Sequence, residues 1–287
     1  MNTPMRFELK IDPLDLDQTL GCGQTFRWQR QPDGSWRGPI GDQIVRLAQT
    51  RSRLIVEAFP GTCRVRGQVA AYLRAGDDIR RIQSWLAKDH VLAEGMKEVR
   101  GLRIVKMDEW ECLVSYVLAT YANIPRITKM IETLSVRYGD EILDGVHAFP
   151  AHAQLCEVPT AELTRCGFGY RADYLHRLCK MIDDDRIRDM RRMPYPELRE
   201  ELKELPGVGD KVADCVSLFG FGKLEAFPID VWIERALARL YKRRGSYSKL
   251  RAFAESRFGP YAGYAQEYLY YNERLRAPEG ACVFSKD

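Results

Sequence analysis

An α+β chain is predicted: a small N-terminal antiparallel sheet domain with short helices over residues 1–106, then a larger all-helical domain over residues 107–287. Three observations predict it. Short strand-like segments separated by turn residues fill the first 60 positions, a 3.6-residue apolar period takes over after about residue 67, and a glycine-rich hairpin at about 204–212 interrupts that period. In order, FELKID (7–12), SWRGPI (35–40), QIVRLAQ (43–49) and RLIVEAF (53–59) are rich in Val, Ile, Phe and Trp, with turns at Pro32-Asp33-Gly34, Gly41-Asp42 and Pro60-Gly61. Asp77-Asp78 marks a helix start before IRRIQSWL. Trp110, Leu113, Val114, Val117, Leu118 and Tyr121 then share one helical face, as do Ile127, Met130, Ile131 and Leu134. Val212, Cys215, Val216 and Phe219 repeat the pattern, and Tyr261, Tyr264, Ala265, Tyr268 and Leu269 close it. These stripes are core signals and carry no function.

Composition narrows the class. A chain of 287 residues with 45% hydrophobic and 29% charged residues has enough apolar material for a core, which excludes wholesale disorder. No run approaches the ~20 apolar residues that cross a bilayer. MNTPMRFELKID lacks an apolar signal core, so no secretion signal and no membrane partner are expected. The eight cysteines form no C-x-x-C pair and there are only four histidines, so zinc spacing is absent and the thiols read as reduced packing residues. A net charge of +4 permits a polyanionic partner without specifying one.

The informative segment is Leu205-Pro206-Gly207-Val208-Gly209-Asp210-Lys211-Val212. Pro206 ends one helix, Gly207 and Gly209 allow backbone conformations closed to other residues, and Val212 resumes a helix. Free N–H groups at that helix start, with no side chain in the way, form a phosphate site, so Gly207, Gly209 and Val212 are candidate DNA-backbone contacts. This is helix–hairpin–helix chemistry, which grips a strand without reading bases. Downstream, Asp230 precedes another apolar-periodic run and caps it. If the two helices pack as neighbours, Lys211 and Asp230 face one cleft.

The chain resembles the 8-oxoguanine DNA glycosylase/AP lyases of the helix–hairpin–helix glycosylase superfamily. The likeness rests on GQTFRW at Gly23–Trp28, NIPRITKMIETL at Asn123–Leu134, GFGYRADY at Gly167–Tyr174, the hairpin string, and FGPYAGYAQEYLYY at Phe258–Tyr271. The resemblance implies that Lys211 attacks the anomeric carbon of a flipped-out nucleotide, expels the base and leaves a Schiff base, after which β-elimination cuts the strand. A lysine attacks as its neutral amine, so a carboxylate in direct contact would be counterproductive. Asp230 is therefore cast as a stabiliser of the developing oxocarbenium charge: an anion about 4 Å away contributes roughly 4 kcal/mol at an effective dielectric near 20.

The resemblance also assigns the base pocket. The Gly23 carbonyl would accept the ring N–H that oxidised guanine has and guanine lacks. Gln266 would read the Watson–Crick edge, with Tyr270 and Cys215 against the two faces of the base. Arg126 and Arg171 would contact the estranged cytosine, Tyr170 would wedge the gap, and Trp232 would lie near the lesion's phosphate. Implied with these are a duplex DNA partner containing oxidised guanine, a monomeric enzyme, and a cytoplasmic location with the chromosome if the source is prokaryotic. No cofactor is required. An iron–sulfur loop has too few cysteines, because only Cys215 and Cys282 lie beyond the hairpin. A structural cation would sit on the backbone carbonyls of Lys203, Leu205 and Val208.

Three positions depart from the family pattern. Tyr121 stands where an asparagine fills the hole left by the flipped base, which predicts weaker discrimination of the opposite base. Trp232 replaces a histidine and Tyr270 a phenylalanine. Two other readings stay open on the sequence: the same enzyme class with a different or broader damaged-purine substrate, and a non-catalytic DNA-gripping protein.

Overall fold

The computed structural model describes residues 4–50 and 53–276, so Cys282 lies outside the described residues. Five strands form one antiparallel sheet: β1 (Met5–Leu9), β2 (Gln29–Arg30), β3 (Trp36–Ile40), β4 (Gln43–Gln49) and β5 (Leu54–Phe59), in spatial order β1-β5-β4-β3-β2. Alternation sets its buried face. In β5, Leu54, Val56 and Ala58 are buried, and Val56 lies opposite the fully buried Leu47 of β4. Pro39 is tolerated in β3 because β2 reaches only Trp36 and Arg37, leaving Pro39 without a strand on its outer side among the described residues.

The structure departs from expectation at local points. β1 ends at Leu9 rather than Asp12, because its partner β5 begins at Leu54, opposite Leu9. The short helix Leu16–Gly21, capped by Asp15 accepting Gln18 N–H at 2.9 Å, spans too little chain to display a period. β2 consists of two exposed polar residues and carries no apolar signal. A hairpin of β6 (Glu141–Leu143) and β7 (Val146–His147) interrupts the helical half; its signal is Asp144-Gly145, both at positive φ.

The helical stripes are buried as read except at Tyr121 and at Tyr261, which is half-buried in the turn Gly259–Tyr261 before the last helix. Asp78 caps the helix Ile79–Leu86 by accepting Arg81 N–H at 3.0 Å. Leu113, Val114, Val117 and Leu118 line the inner face of the helix Glu109–Leu118. Tyr121 does not extend that stripe. The helix stops at Leu118, Tyr121 takes φ 50°, and its side chain is 68% exposed. The helix Asp210–Phe219 packs on Glu109–Leu118 and on Tyr195–Lys203, and Ala262–Arg276 packs on Val231–Leu240. Among the described residues, no helix is long and apolar enough to cross a membrane.

One loop joins the sheet half to the helical half. Gln24 donates from Nε2 to the carbonyls of Thr19 and Arg103, both at 2.8 Å, and its Oε1 accepts Val105 N–H at 2.8 Å. The Tyr116 hydroxyl donates to the Gln24 carbonyl at 3.3 Å. Gly23 is thereby held at the mouth of the helical half.

Candidate active site

The hairpin is built as its residues dictate. The helix Tyr195–Lys203 ends before Pro206, Gly207 adopts φ 79°, and a Cβ there would meet the Tyr174 ring at 2.7 Å. Gly209 is different: its φ is ordinary and a Cβ would meet nothing within 4 Å. It serves as the N-cap of the helix Asp210–Phe219 with no side-chain cap bond, which leaves the first-turn N–H groups free for an anion. The Leu205 carbonyl accepts Val208 N–H at 3.1 Å, while those of Lys203 and Val208 accept no bond among the described residues. These hard oxygen donors suit a cation. Among the described residues, no group of three or more His, Cys, Asp or Glu side chains is placed to hold a metal.

Lys211, the second residue of its helix, and Asp230, preceding Val231–Leu240, open into one cleft of about 1030 Å³. Asp230 Oδ1 accepts Ile233 N–H at 2.9 Å, so it does cap its own helix. Lys211 acts on Asp230 through its charge and makes no side-chain hydrogen bond to it, and the lysine Nζ lies 5.3 Å from the centroid of the Tyr116 ring. Burial pushes the Asp230 carboxyl above its usual range, opposed by the Ile233 N–H and by the positive charge of Lys211. The anion is thus held at a cost and would be relieved by a second positive charge arriving in the cleft.

Gly23, Gln266, Tyr270 and Cys215 line the same cleft. Gly23 has φ 101°, and an added Cβ would lie 2.9 Å from Arg274 Nη1 and 3.0 Å from Ile124 Cδ1. Among the described residues its carbonyl accepts no hydrogen bond. Gln266 is 4% exposed and its Oε1 is buried without a partner. An unpaired buried amide oxygen is costly, and a ligand donor is one way to satisfy it. The Cys215 thiol is pushed up to about 12 by burial, so it stays protonated and serves as an apolar wall.

The expected opposite-strand residues divide. Tyr121 and Tyr170 stand at the rim with exposures of 68% and 49%, and Trp232 also lines the cleft, with the Arg235 guanidinium 5.4 Å from its ring. Arg126 is exposed on the first turn of the helix Ile124–Tyr138, outside the cleft wall. Arg171 is 2% exposed and donates to the Thr120 carbonyl from Nε at 3.0 Å and also from Nη2, beneath the Tyr170 ring. In this arrangement it is committed to the protein's own backbone.

Among the cleft or near-cleft residues not singled out from the sequence are Tyr116, Glu267, Arg274 and the buried Asp214, one helical turn from Lys211. Burial raises Glu267 to about 7, with Asp230 pushing the same way. A charged residue inside an apolar-periodic helix, next to Gln266, was the available signal for Glu267.

Residues 6–113 match the N-terminal domain of 8-oxoguanine DNA glycosylase, and residues 114–260 match the HhH-GPD superfamily base excision DNA repair proteins. An N-glycosylase/DNA lyase, OGG1, of Arabidopsis thaliana is 30% identical, over 94% of this chain and 81% of its own. The structure of MBOgg1 with a low-affinity DNA ligand superposes with a TM-score of 0.88 at 32% identity, covering 94% of this chain and 96% of that one. The Clostridium acetobutylicum 8-oxoguanine glycosylase/lyase, bound to duplex DNA with cytosine opposite 8-oxoguanine, gives 0.87 at 29% identity, covering 96% and 99%.

Proposed function

We propose, from the premise that this chain belongs to the HhH-GPD superfamily of base excision DNA repair proteins and carries the 8-oxoguanine DNA glycosylase N-terminal domain, that it excises 8-oxoguanine from duplex DNA and then cuts the abasic strand. The observation that carries this reading is the convergence in one cleft of an amine and a separate carboxylate with two unsatisfied acceptors, the Gly23 carbonyl and Gln266 Oε1.

The chemistry follows from those groups. The free N–H groups after Gly209 hold a backbone phosphate of the damaged strand. The extruded base enters between Tyr270 and Cys215, donates its ring N–H to Gly23, and pairs its edge with Gln266. The Lys211 nitrogen forms a bond to the anomeric carbon, the glycosidic bond breaks toward the base, and the amine's proton leaves on that base. Asp230 stabilises the sugar cation in between without bonding to it. The C1′–O4′ bond then breaks, with O4′ taking a proton and the nitrogen lone pair forming the C1′=N Schiff base; the released base takes the C2′ proton, the 3′ phosphate leaves, and water hydrolyses the imine to free Lys211. Protein groups, the departing base and water carry the protons in this scheme, no electron is transferred, and no cofactor is invoked; an iron–sulfur cluster has too few cysteines beyond the hairpin. A cation on the hairpin carbonyls would stiffen the phosphate grip. The enzyme would act as a monomer, in the compartment that holds the chromosomal DNA.

The test is single-turnover cleavage of a duplex carrying 8-oxoguanine opposite cytosine. Wild type should release the base and cut the strand, and Asp230→Asn should lose about a thousandfold in base release while retaining DNA binding. DNA binding with no base release by wild type would leave only a gripping role. A wider lesion range is favoured by the exposed Tyr121 at the rim and by Trp232, and a panel of damaged purines measures it.

A further inference from the structure

The loop that presents Gly23 is held from both sides of the preceding residue by one helix. Cys22 is 1% exposed. Its Sγ lies 3.5 Å from Glu267 Oε2 and 3.4 Å from the Thr19 carbonyl, so its one S–H proton is shared between these two acceptors. Its carbonyl accepts from Arg274 Nη1. Glu267 and Arg274 both belong to the helix Ala262–Arg276, and both line the cleft. On the far side of Gly23, Gln24 is fixed by its three bonds at 2.8 Å to Thr19, Arg103 and Val105. The carbonyl between these two anchors makes no bond of its own among the described residues.

A peptide with φ 101° can swing its carbonyl freely only if its neighbours allow it. Here they do not. A Cβ added at Gly23 would lie 2.9 Å from Arg274 Nη1 and 3.8 Å from the Tyr270 hydroxyl, so both side chains crowd the Cα face of this residue. The Arg274 guanidinium also lies 5.7 Å from the centroid of the Tyr270 ring, the proposed stacking surface for the base. The same side chain therefore touches both the loop that carries the carbonyl and the ring proposed to stack on the base.

We propose that Glu267 and Arg274 are specificity-determining positioning residues, which clamp Cys22 by its thiol and its carbonyl and so aim the Gly23 carbonyl at the ring N–H of the extruded purine. This rests on the base-pocket reading above and extends it to two residues that do not touch the reacting atoms. A carbonyl aimed correctly rewards a purine with that N–H and repels one whose ring nitrogen is a bare acceptor, whereas a carbonyl free to turn away does neither. Arg274 acts on the oxygen of residue 22 and Glu267 on its sulfur, so either can be cut separately.

The experiment compares two substrates under single turnover: a duplex with 8-oxoguanine opposite cytosine, and the same duplex with a preformed abasic site, which has no base to read. Arg274→Met and Cys22→Ala should each lower processing of the lesion about tenfold, with abasic cleavage reduced by less than about twofold. Cys22→Ser, which restores a hydrogen-bond donor to Glu267, should recover lesion processing to within about twofold of wild type. Equal losses on the two substrates would indicate general damage to the fold and overturn the clamp, as would undiminished lesion excision in Arg274→Met and Cys22→Ala. A serine variant no better than the alanine one overturns the Glu267 half. If wild type cuts abasic DNA but leaves 8-oxoguanine in place, the base-pocket reading itself fails and takes the clamp with it.

Discussion

The Tyr247 hydroxyl donates to Asp214 Oδ2 at 2.6 Å and accepts Ile229 N–H at 3.3 Å, tying the residue before Asp230 to the helix that bears Lys211. Asp214 is fully buried and also accepts Tyr195 Oη at 2.7 Å and Arg199 Nε at 2.9 Å. Arg199 in turn donates from Nη2 to Asp210 Oδ1 at 2.6 Å. One buried carboxylate therefore connects to the chain neighbours of both Lys211 and Asp230, and a disturbance there reaches the spacing of the pair.

Tyr247→Phe removes the hydroxyl alone. It should destabilise the fold by about 1–2 kcal/mol, the usual result of leaving buried partners unpaired. Base excision should fall further than the melting temperature implies, about tenfold at saturating enzyme with DNA affinity within about twofold. Thermal unfolding beside single-turnover kinetics checks this, and an unchanged rate in a destabilised variant would limit the network to stability.

Gly23→Ala places a methyl group 2.9 Å from Arg274 Nη1 and 3.0 Å from Ile124 Cδ1, on a backbone with φ 101°. The loop has to shift, at about 1–2 kcal/mol, and the carbonyl shifts with it. Lesion excision should drop about tenfold or more while abasic-site cleavage drops less. Parallel assays on both substrates decide it, and an alanine variant that still excises at the wild-type rate contradicts the assigned contact.

Glu267 gives a pH signature. Its carboxyl is raised by burial to about 7 from an ordinary 4.5, so the folded state binds its proton more tightly than the unfolded state. The stability it contributes is complete below about pH 4.5 and is lost as pH rises through 7, about 3 kcal/mol in all. Glu267→Gln removes this term. Relative to wild type, its melting temperature should therefore rise between pH 5 and pH 8, and identical pH dependence in the two proteins would show the carboxyl to be unperturbed.

At the rim, Tyr121 is exposed and Arg171 is bonded to the Thr120 carbonyl. Strict reading of an opposite cytosine would require Arg171 to give up those bonds. Excision of 8-oxoguanine should accordingly vary by less than about fivefold across the four opposite bases, whereas a committed bidentate arginine would discriminate by about 1–3 kcal/mol, roughly fivefold to a hundredfold or more. A steep cytosine preference measured in that panel contradicts this.

What was legible in the sequence is what is written locally. Gly207, Lys211 and the Asp230 cap carry their constraints within a few residues, so the hairpin and the helix start could be read directly. Strands β3, β4 and β5 were equally plain, because alternation and turn residues mark them, whereas the short β6–β7 hairpin was not. Glu267 was not, since its partner Cys22 is 245 residues away and only packing of the last helix against the sheet-side loop brings them together. Tyr121 was misread as core because a helical period says nothing of where the helix stops, and the stop here is a backbone turn at positive φ.

The central claim is that Lys211 bonds to the sugar. Borohydride reduction during turnover on 8-oxoguanine duplex tests it most directly, because only a Schiff base becomes a permanent protein–DNA crosslink. Wild type should give a crosslinked species and Lys211→Gln none, although the variant still binds the duplex. An equal yield of crosslink from Lys211→Gln would place the nucleophile elsewhere and contradict the account.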